Sequence, residues 1–130
     1  MLREPPYDDG AGRDDGGDAA PSMSDVLRAA LEPVAARIDA AFIYGPVARG
    51  ALKAHGDIDI MIIGRGIEYA DVIPHFIAAA KYLGRTINPG VYRTDEWRSK
   101  LAAGNRVMLA LMSQPKIFVI GTQDAIPQLT

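Results

Sequence analysis

Cysteine is absent from the 130-residue sequence, and only two histidines occur in it. Disulfides, cysteine nucleophiles and thiolate zinc sites are therefore excluded, and a histidine-rich metal centre lacks its ligands. No apolar run approaches the roughly 18 residues that a membrane-spanning helix requires. The acidic N-terminus also lacks the basic and apolar regions of a secretory signal peptide. We expect a cytoplasmic protein that does not enter a membrane.

The sequence also has no excess of basic charge, since it contains 14 basic and 16 acidic side chains. This balance argues against binding nucleic acid by charge, so no direct DNA binding is expected. The first 20 residues hold six acidic and two basic side chains, a local charge of −4. We predict a disordered acidic tail over residues 1–22 and one folded domain over residues 23–130. Without the first 20 residues the charge is about +2, which favours an anionic small substrate.

Hydrophobic periodicity predicts alternating helices and strands. An amphipathic helix over residues 25–38 follows an N-cap at Ser24, and Pro33 should kink or split it. A short buried strand is predicted over residues 40–44. The strongest strand signal covers residues 57–63, and its mostly apolar faces place it at the centre of a sheet.

The second half of the chain continues the alternation and ends in a last strand. The predicted strand over residues 86–92 contains Pro89 and Gly90, so it should be bulged or lie near an edge. The other predicted elements are helices over 69–83, 94–103 and 105–113 and a strand over 116–120. The pattern indicates an α/β layer of about four strands with helices packed on it. The apolar fraction of 48% also makes a homodimer possible.

Two aspartates, Asp57 and Asp59, open the isoleucine-rich strand. Alternate side chains of a strand point to one face with Cα atoms about 6.6–7 Å apart, so both carboxylates can reach one cation. Ile58 points the other way, into the core. Ligation by oxygen alone favours Mg²⁺ or Mn²⁺, which commonly bridge to substrate phosphates. The alternative is an ordinary solvated strand entrance.

A glycine bend precedes these aspartates, reading Tyr44-Gly45-Pro46-Val47-Ala48-Arg49-Gly50 at the end of a strand. Glycine lets the backbone approach a ligand, and a helix starting at Pro46 would offer free N–H groups to a phosphate. Arg49 would add a charged partner. The predicted nucleotide-binding residues are Gly45, Pro46, Val47 and Arg49. An ordinary strand-to-helix turn with Arg49 in solvent is the alternative.

Taken together, these segments resemble the nucleotidyltransferase superfamily that includes DNA polymerase β. Its minimal bacterial and archaeal members carry a signature of roughly G-S-x-A-R-G, five residues, then S-D-I-D and a hydrophobic residue. The present sequence fits this register without a gap, and the resemblance extends over about residues 24–121. Residues 88–92, 104–105 and 114–118 look like the nucleotidyltransferase domain found behind a winged-helix domain in small prokaryotic regulators.

The resemblance implies a nucleotidyltransferase fold, α/β or α+β, with a mixed central sheet. It also implies that Asp57 and Asp59 are both the catalytic residues and the ligands of Mg²⁺ or Mn²⁺. The implied reaction moves a nucleoside monophosphate from a nucleoside triphosphate to a hydroxyl of a protein or small molecule. Pyrophosphate would be the second product.

Three residues depart from the family pattern, and the mildest change is Gly56, which stands where a serine often precedes the first aspartate. Pro46 replaces the serine whose hydroxyl and N–H contact phosphate, and Asn88 stands at the position of a third carboxylate. Asp95 or Glu96 could supply that carboxylate instead, or both could be ordinary first-turn acids of a helix. These departures keep open a catalytically inactive alternative: a nucleotide-sensing or assembly module, such as a regulator's effector domain or an antitoxin-like partner.

Overall fold

The predicted alternation of helices and strands is present in the computed structural model, which describes residues 22–48 and 56–126. The predicted tail therefore lies, apart from Ser22, outside the described residues. Within these ranges no helix is long and apolar enough to cross a membrane. The elements are α1 (Met23–Leu31), β1 (Ile38–Tyr44), β2 (Ile58–Gly64), α2 (Tyr69–Leu83), β3 (Ile87–Arg93), α3 (Thr94–Ala102), α4 (Arg106–Ser113) and β4 (Ile117–Ile120), with 3₁₀ turns at Glu32–Arg37 and Gln123–Ala125.

The four strands form one mixed sheet in the order β3-β2-β1-β4. β1 runs antiparallel to β2 and to β4, whereas β2 and β3 are parallel. This confirms the predicted α+β fold with a mixed four-stranded sheet. β2 is an inner strand, as its sequence predicted, because its isoleucines pack into apolar cores on both faces of the sheet.

Each face of the sheet has its own hydrophobic core. On one face Ile58, Ile60 and Ile62 of β2 pack against α1 and α2, where Leu27 and Phe76 are buried. On the other face the second core consists of Ala40, Phe42, Met61, Ile63, Trp97, Leu101, Met108, Leu111 and Ile126. The sheet is thus covered on both sides, and the start of β2 is the place where polar side chains interrupt the second core.

The first helix begins two residues earlier than predicted. Ser22, and not Ser24, is its N-cap, since the Ser22 hydroxyl accepts from the Asp25 N–H at 3.1 Å. The Asp25 carboxylate accepts in turn from the Ser22 N–H at 3.2 Å, which completes a capping box. The predicted split at Pro33 is confirmed, because α1 ends at Leu31 and a 3₁₀ turn follows.

β3 lies at the edge of the sheet, as predicted, but it is not bulged. Its pairing with β2 runs from Ile87 to Arg93 without a register shift. A Cβ on Gly90 would lie 3.3 Å from the Met61 thioether, so the glycine leaves space for this core side chain. An edge strand tolerates the missing N–H of Pro89, since only one side of it pairs.

Candidate nucleotide and cation site

Asp57, Asp59 and Asn88 come together where β2 and β3 begin. Asp59 and Asn88 are direct partners across the parallel strand pair. The Asn88 Nδ2 donates to Asp57 Oδ2 at 3.2 Å and to Asp59 Oδ1 at 3.3 Å. The two predicted carboxylates therefore face the same side of the sheet. Asn88, which stands where the resemblance implies a third carboxylate, lies between them.

One backbone hydrogen bond and one side-chain hydrogen bond fix the relative position of the two strand starts. The Ile58 N–H donates to the Thr86 carbonyl at 2.8 Å, and the Arg85 Nη1 donates to the Gly56 carbonyl at 3.3 Å. Ile58, which separates the two aspartates in the sequence, is fully buried. Its burial directs both carboxylates away from the first core, because neighbouring side chains of a strand point to opposite faces. Arg85 was not identified from the sequence.

The glycine bend lies beside Asp59. Gly45 follows the last residue of β1 and has a φ of +78°, and a Cβ on it would lie 2.9 Å from Asp59 Oδ2. The bend and the carboxylate pair are thus neighbours, as the sequence spacing predicted. Residues 46–48 form a turn. Pro46 is exposed, Val47 packs into the first core, and Arg49 lies outside the described residues, so its predicted phosphate contact stays a prediction.

A Gly45→Ala variant tests this proximity. The left-handed backbone should cost about 1–2 kcal/mol of stability, and the new methyl group should push the Asp59 carboxylate away from Asn88. Gly66→Ala is the matched control, because Gly66 also has a positive φ, of +64°, but no atom within 4 Å of its Cβ position. Thermal unfolding should show comparable losses for both variants, whereas nucleotide binding should weaken only in Gly45→Ala. Equal binding by both would contradict this reading of the bend.

Tyr44 is a site residue that the sequence analysis did not assign. It is the last residue of β1, half-buried, and the cross-strand partner of Asp59. Burial raises the pKa of its hydroxyl, and the charges of Asp59 and Tyr92 raise it further. Its side chain therefore stays protonated at neutral pH next to the carboxylate. Its role could not be read from sequence because it depends on the register between β1 and β2.

We expect the raised pKa of Tyr44 to make stability depend on pH in the alkaline range. A tyrosine that holds its proton longer in the folded state stabilises the fold below its unfolded pKa of about 10, and this contribution is lost as pH rises further. Tyrosine ring NMR shifts followed against pH, with Tyr44→Phe to assign the signal, should show this titration. In Asp59→Asn the pKa of Tyr44 should fall but stay raised, because burial is the larger cause. An unchanged midpoint in that variant would show that Asp59 does not act on Tyr44.

Asp95 and Glu96 do not supply a third carboxylate. They lie in the first turn of α3, directly after β3 ends, whereas Asn88 lies near the start of that strand. The Glu96 carboxylate accepts from the Arg93 N–H at 3.3 Å, and the Asp95 carboxylate accepts from the Glu96 N–H at 2.9 Å. Both are first-turn acids that satisfy free N–H groups, which was the alternative left open by the sequence.

The donor set at this edge fits one hard divalent cation. Asp57 and Asn88 are exposed and Asp59 is half-buried, so all three reach solvent. Two carboxylates and, once the amide turns, the Asn88 Oδ1 are the oxygen ligands that Mg²⁺ and Mn²⁺ prefer. Among residues 22–48 and 56–126, no group of three or more His, Cys, Asp and Glu side chains is placed to hold a metal ion, so this edge has two carboxylates and not three.

Comparison by sequence finds no matching protein-family model and no matching curated protein. Comparison by structure finds similar chains. One is the crystal structure of a toxin–antitoxin with AMP-PNP, with a TM-score of 0.52 and 12% identity, covering 78% of this chain and 75% of that one. Another, from Sulfolobus solfataricus, is provisionally assigned as a nucleotidyltransferase, with a TM-score of 0.41 and 18% identity over 74% and 78% of the two chains.

The structural likeness to the first protein concerns the fold alone, since only 12% of the residues are identical. In this chain Asp59 lies on an inner strand that begins directly after Asp57, and the glycine bend follows the end of the neighbouring antiparallel strand. The mixed four-stranded sheet with helices packed on it agrees with the fold that the sequence resemblance implied. The chain shares its overall fold with the toxin–antitoxin protein.

Proposed function

We propose that the chain binds a nucleoside triphosphate together with Mg²⁺ or Mn²⁺ and transfers its nucleoside monophosphate, slowly, to a hydroxyl acceptor. The observation that carries the proposal is the convergence of Asp57 and Asp59 beside the bend at Gly45. A carboxylate pair next to a close-approach glycine provides ligands for a cation and room for a polyphosphate.

Asp57 and Asp59 would hold the cation, which when bound neutralises charge on the triphosphate. Asp59 is the more constrained of the two, because Asn88, Tyr44 and the bend surround it. The missing Cβ of Gly45 lets the phosphates approach the carboxylates. Among the described residues that follow Pro46 in the bend, Val47 and Ala48 would offer their N–H groups to phosphate.

In the transfer, the acceptor hydroxyl oxygen forms a bond to the α-phosphorus. The bond between that phosphorus and the oxygen bridging to the β-phosphate breaks, and pyrophosphate leaves with its electron pair. The hydroxyl proton passes to solvent, because Asn88 cannot accept it. Loss of a general base commonly costs about 10²–10⁴ in rate, and Pro46 offers neither an N–H nor a hydroxyl to phosphate. The proposed activity is therefore slow.

A second function, nucleotide binding without transfer, is favoured by one specific observation. The Asn88 amide donates to both carboxylates, and it stands at the position where the family resemblance implies a third carboxylate. A chain built in this way is suited to sensing a nucleotide or to assembly with a partner. The structurally similar toxin–antitoxin with AMP-PNP makes an antitoxin-like role a reasonable version of this alternative.

One experiment separates the two functions. The protein is titrated calorimetrically with AMP-PNP in Mg²⁺ or Mn²⁺, and then incubated with each α-labelled nucleoside triphosphate and a cell lysate. Cation-dependent binding followed by label transfer supports the transferase, and binding without transfer supports the sensing module. The matched control is Asp57→Asn/Asp59→Asn, which should lose both signals. The absence of cation-dependent binding to the unmodified chain would overturn both functions.

A further inference from the structure

The Asn88 amide lies between two carboxylates and satisfies both of them. Its Nδ2 is 3.2 Å from Asp57 Oδ2 and 3.3 Å from Asp59 Oδ1. We infer that Asn88 makes this edge a one-cation site, which takes its cation together with a nucleotide and holds free cations weakly. The inference rests on the proposed function and specifies how the site is loaded.

The charge at the site accounts for a single cation. Asp57 and Asp59 are the two carboxylates of the site, and the neutral amide of Asn88 between them adds no charge. One divalent cation balances the carboxylate pair. A second cation would find no third carboxylate beside this pair, since no cluster of three His, Cys, Asp or Glu side chains occurs among the described residues. Its like charge would also oppose entry next to the first.

Hydrogen bonding accounts for the weak binding of a free cation. Two like charges held side by side normally gain strongly from a cation, but here the amide N–H groups already reduce their repulsion. A cation must displace both hydrogen bonds that the Asn88 amide donates. The amide then turns to present Oδ1 instead of Nδ2. A cation that arrives with a triphosphate brings phosphate oxygens as additional ligands, and these compensate for the displaced bonds.

The test counts Mn²⁺ by electron paramagnetic resonance, which detects the ion that remains free in solution. The unmodified protein should bind little Mn²⁺ alone and one Mn²⁺ per chain when AMP-PNP is present. Asn88→Asp, which turns the donor into a third carboxylate, should bind free Mn²⁺ at least about tenfold more tightly and take up two ions with AMP-PNP. Calorimetry with AMP-PNP reports nucleotide binding independently of the ion count.

Asn105→Asp is the matched control. Asn105 is the N-cap of α4, where its side-chain oxygen accepts from the Val107 and Met108 N–H groups, and an aspartate caps equally well. This variant adds the same charge away from the site and should leave the Mn²⁺ count unchanged.

Two ions per nucleotide in the unmodified protein, or no gain of affinity in folded Asn88→Asp, would overturn the inference while nucleotide binding stands. If Asn88→Asp does not fold, the count on the unmodified chain decides alone. If the unmodified chain binds no nucleotide, the proposed function is overturned instead, and this inference with it.

Discussion

Asp59→Asn should strongly weaken cation-dependent nucleotide binding while leaving the fold intact. The substitution keeps the shape of the side chain and an oxygen that can accept from Asn88, but it removes the charge. At 4 Å and an effective dielectric of 20, two unit charges attract by about 4 kcal/mol, and partial exposure reduces this. We therefore expect affinity to fall by about 100-fold or more, measured as calorimetric binding of AMP-PNP in Mg²⁺.

The position of the two aspartates predicts an order of effects. Asp57 is exposed, whereas Asp59 is half-buried between Asn88 and Tyr44, so Asp57→Asn should weaken binding less than Asp59→Asn. Asp124→Asn, at an exposed position in the last 3₁₀ turn, is the neutral control. Neither site variant should unfold at a lower temperature, since each removes one of two like charges. A variant Asp59→Asn that binds like the unmodified chain would disprove the assignment of the site.

Trp97→Ala should cause the largest loss of stability. Trp97 is 0% exposed in the second core and meets Tyr92 edge to face, with ring centroids 5.8 Å apart. Deleting a buried tryptophan side chain typically costs about 3–5 kcal/mol, since the cavity is only partly refilled. For a domain of about 100 residues this lowers the midpoint of thermal unfolding by at least about 10 °C. Circular dichroism is the suitable measurement, because the variant has no tryptophan left.

Two comparisons show whether this loss arises from burial. Within the described residues the Trp97 Nε1 has no hydrogen-bond partner, so Trp97→Phe removes a buried donor that costs about 1–3 kcal/mol along with some volume. It should therefore be far milder than Trp97→Ala. Tyr69→Ala removes an aromatic ring that is 55% exposed and should change stability by less than about 0.5 kcal/mol. Similar losses from Tyr69→Ala and Trp97→Ala would contradict the second core.

Periodicity was most informative where one residue type dominates an element. The isoleucines of β2 predicted an inner strand, and the helix over Tyr69–Leu83 was predicted with the observed bounds because Gly84 ends it in a left-handed conformation. Element ends were less certain where two caps compete, as Ser22 and Ser24 do at α1. For β3 the sequence predicted either an edge position or a bulge, and the edge position is confirmed. The pairing is regular because Gly90 fits against Met61.

The sequence by itself determined the fold class, the paired aspartates on a buried strand and the bend before them, because these depend on local residue order and on alternation along a strand. Only the tertiary structure decided that Asn88 lies between the carboxylates, that Tyr44 faces Asp59, and that Asp95 and Glu96 lie at the far end of β3. These facts depend on which strands pair and in which register. Register is set by packing between residues far apart in the chain, so it cannot be read from the order of neighbouring residues.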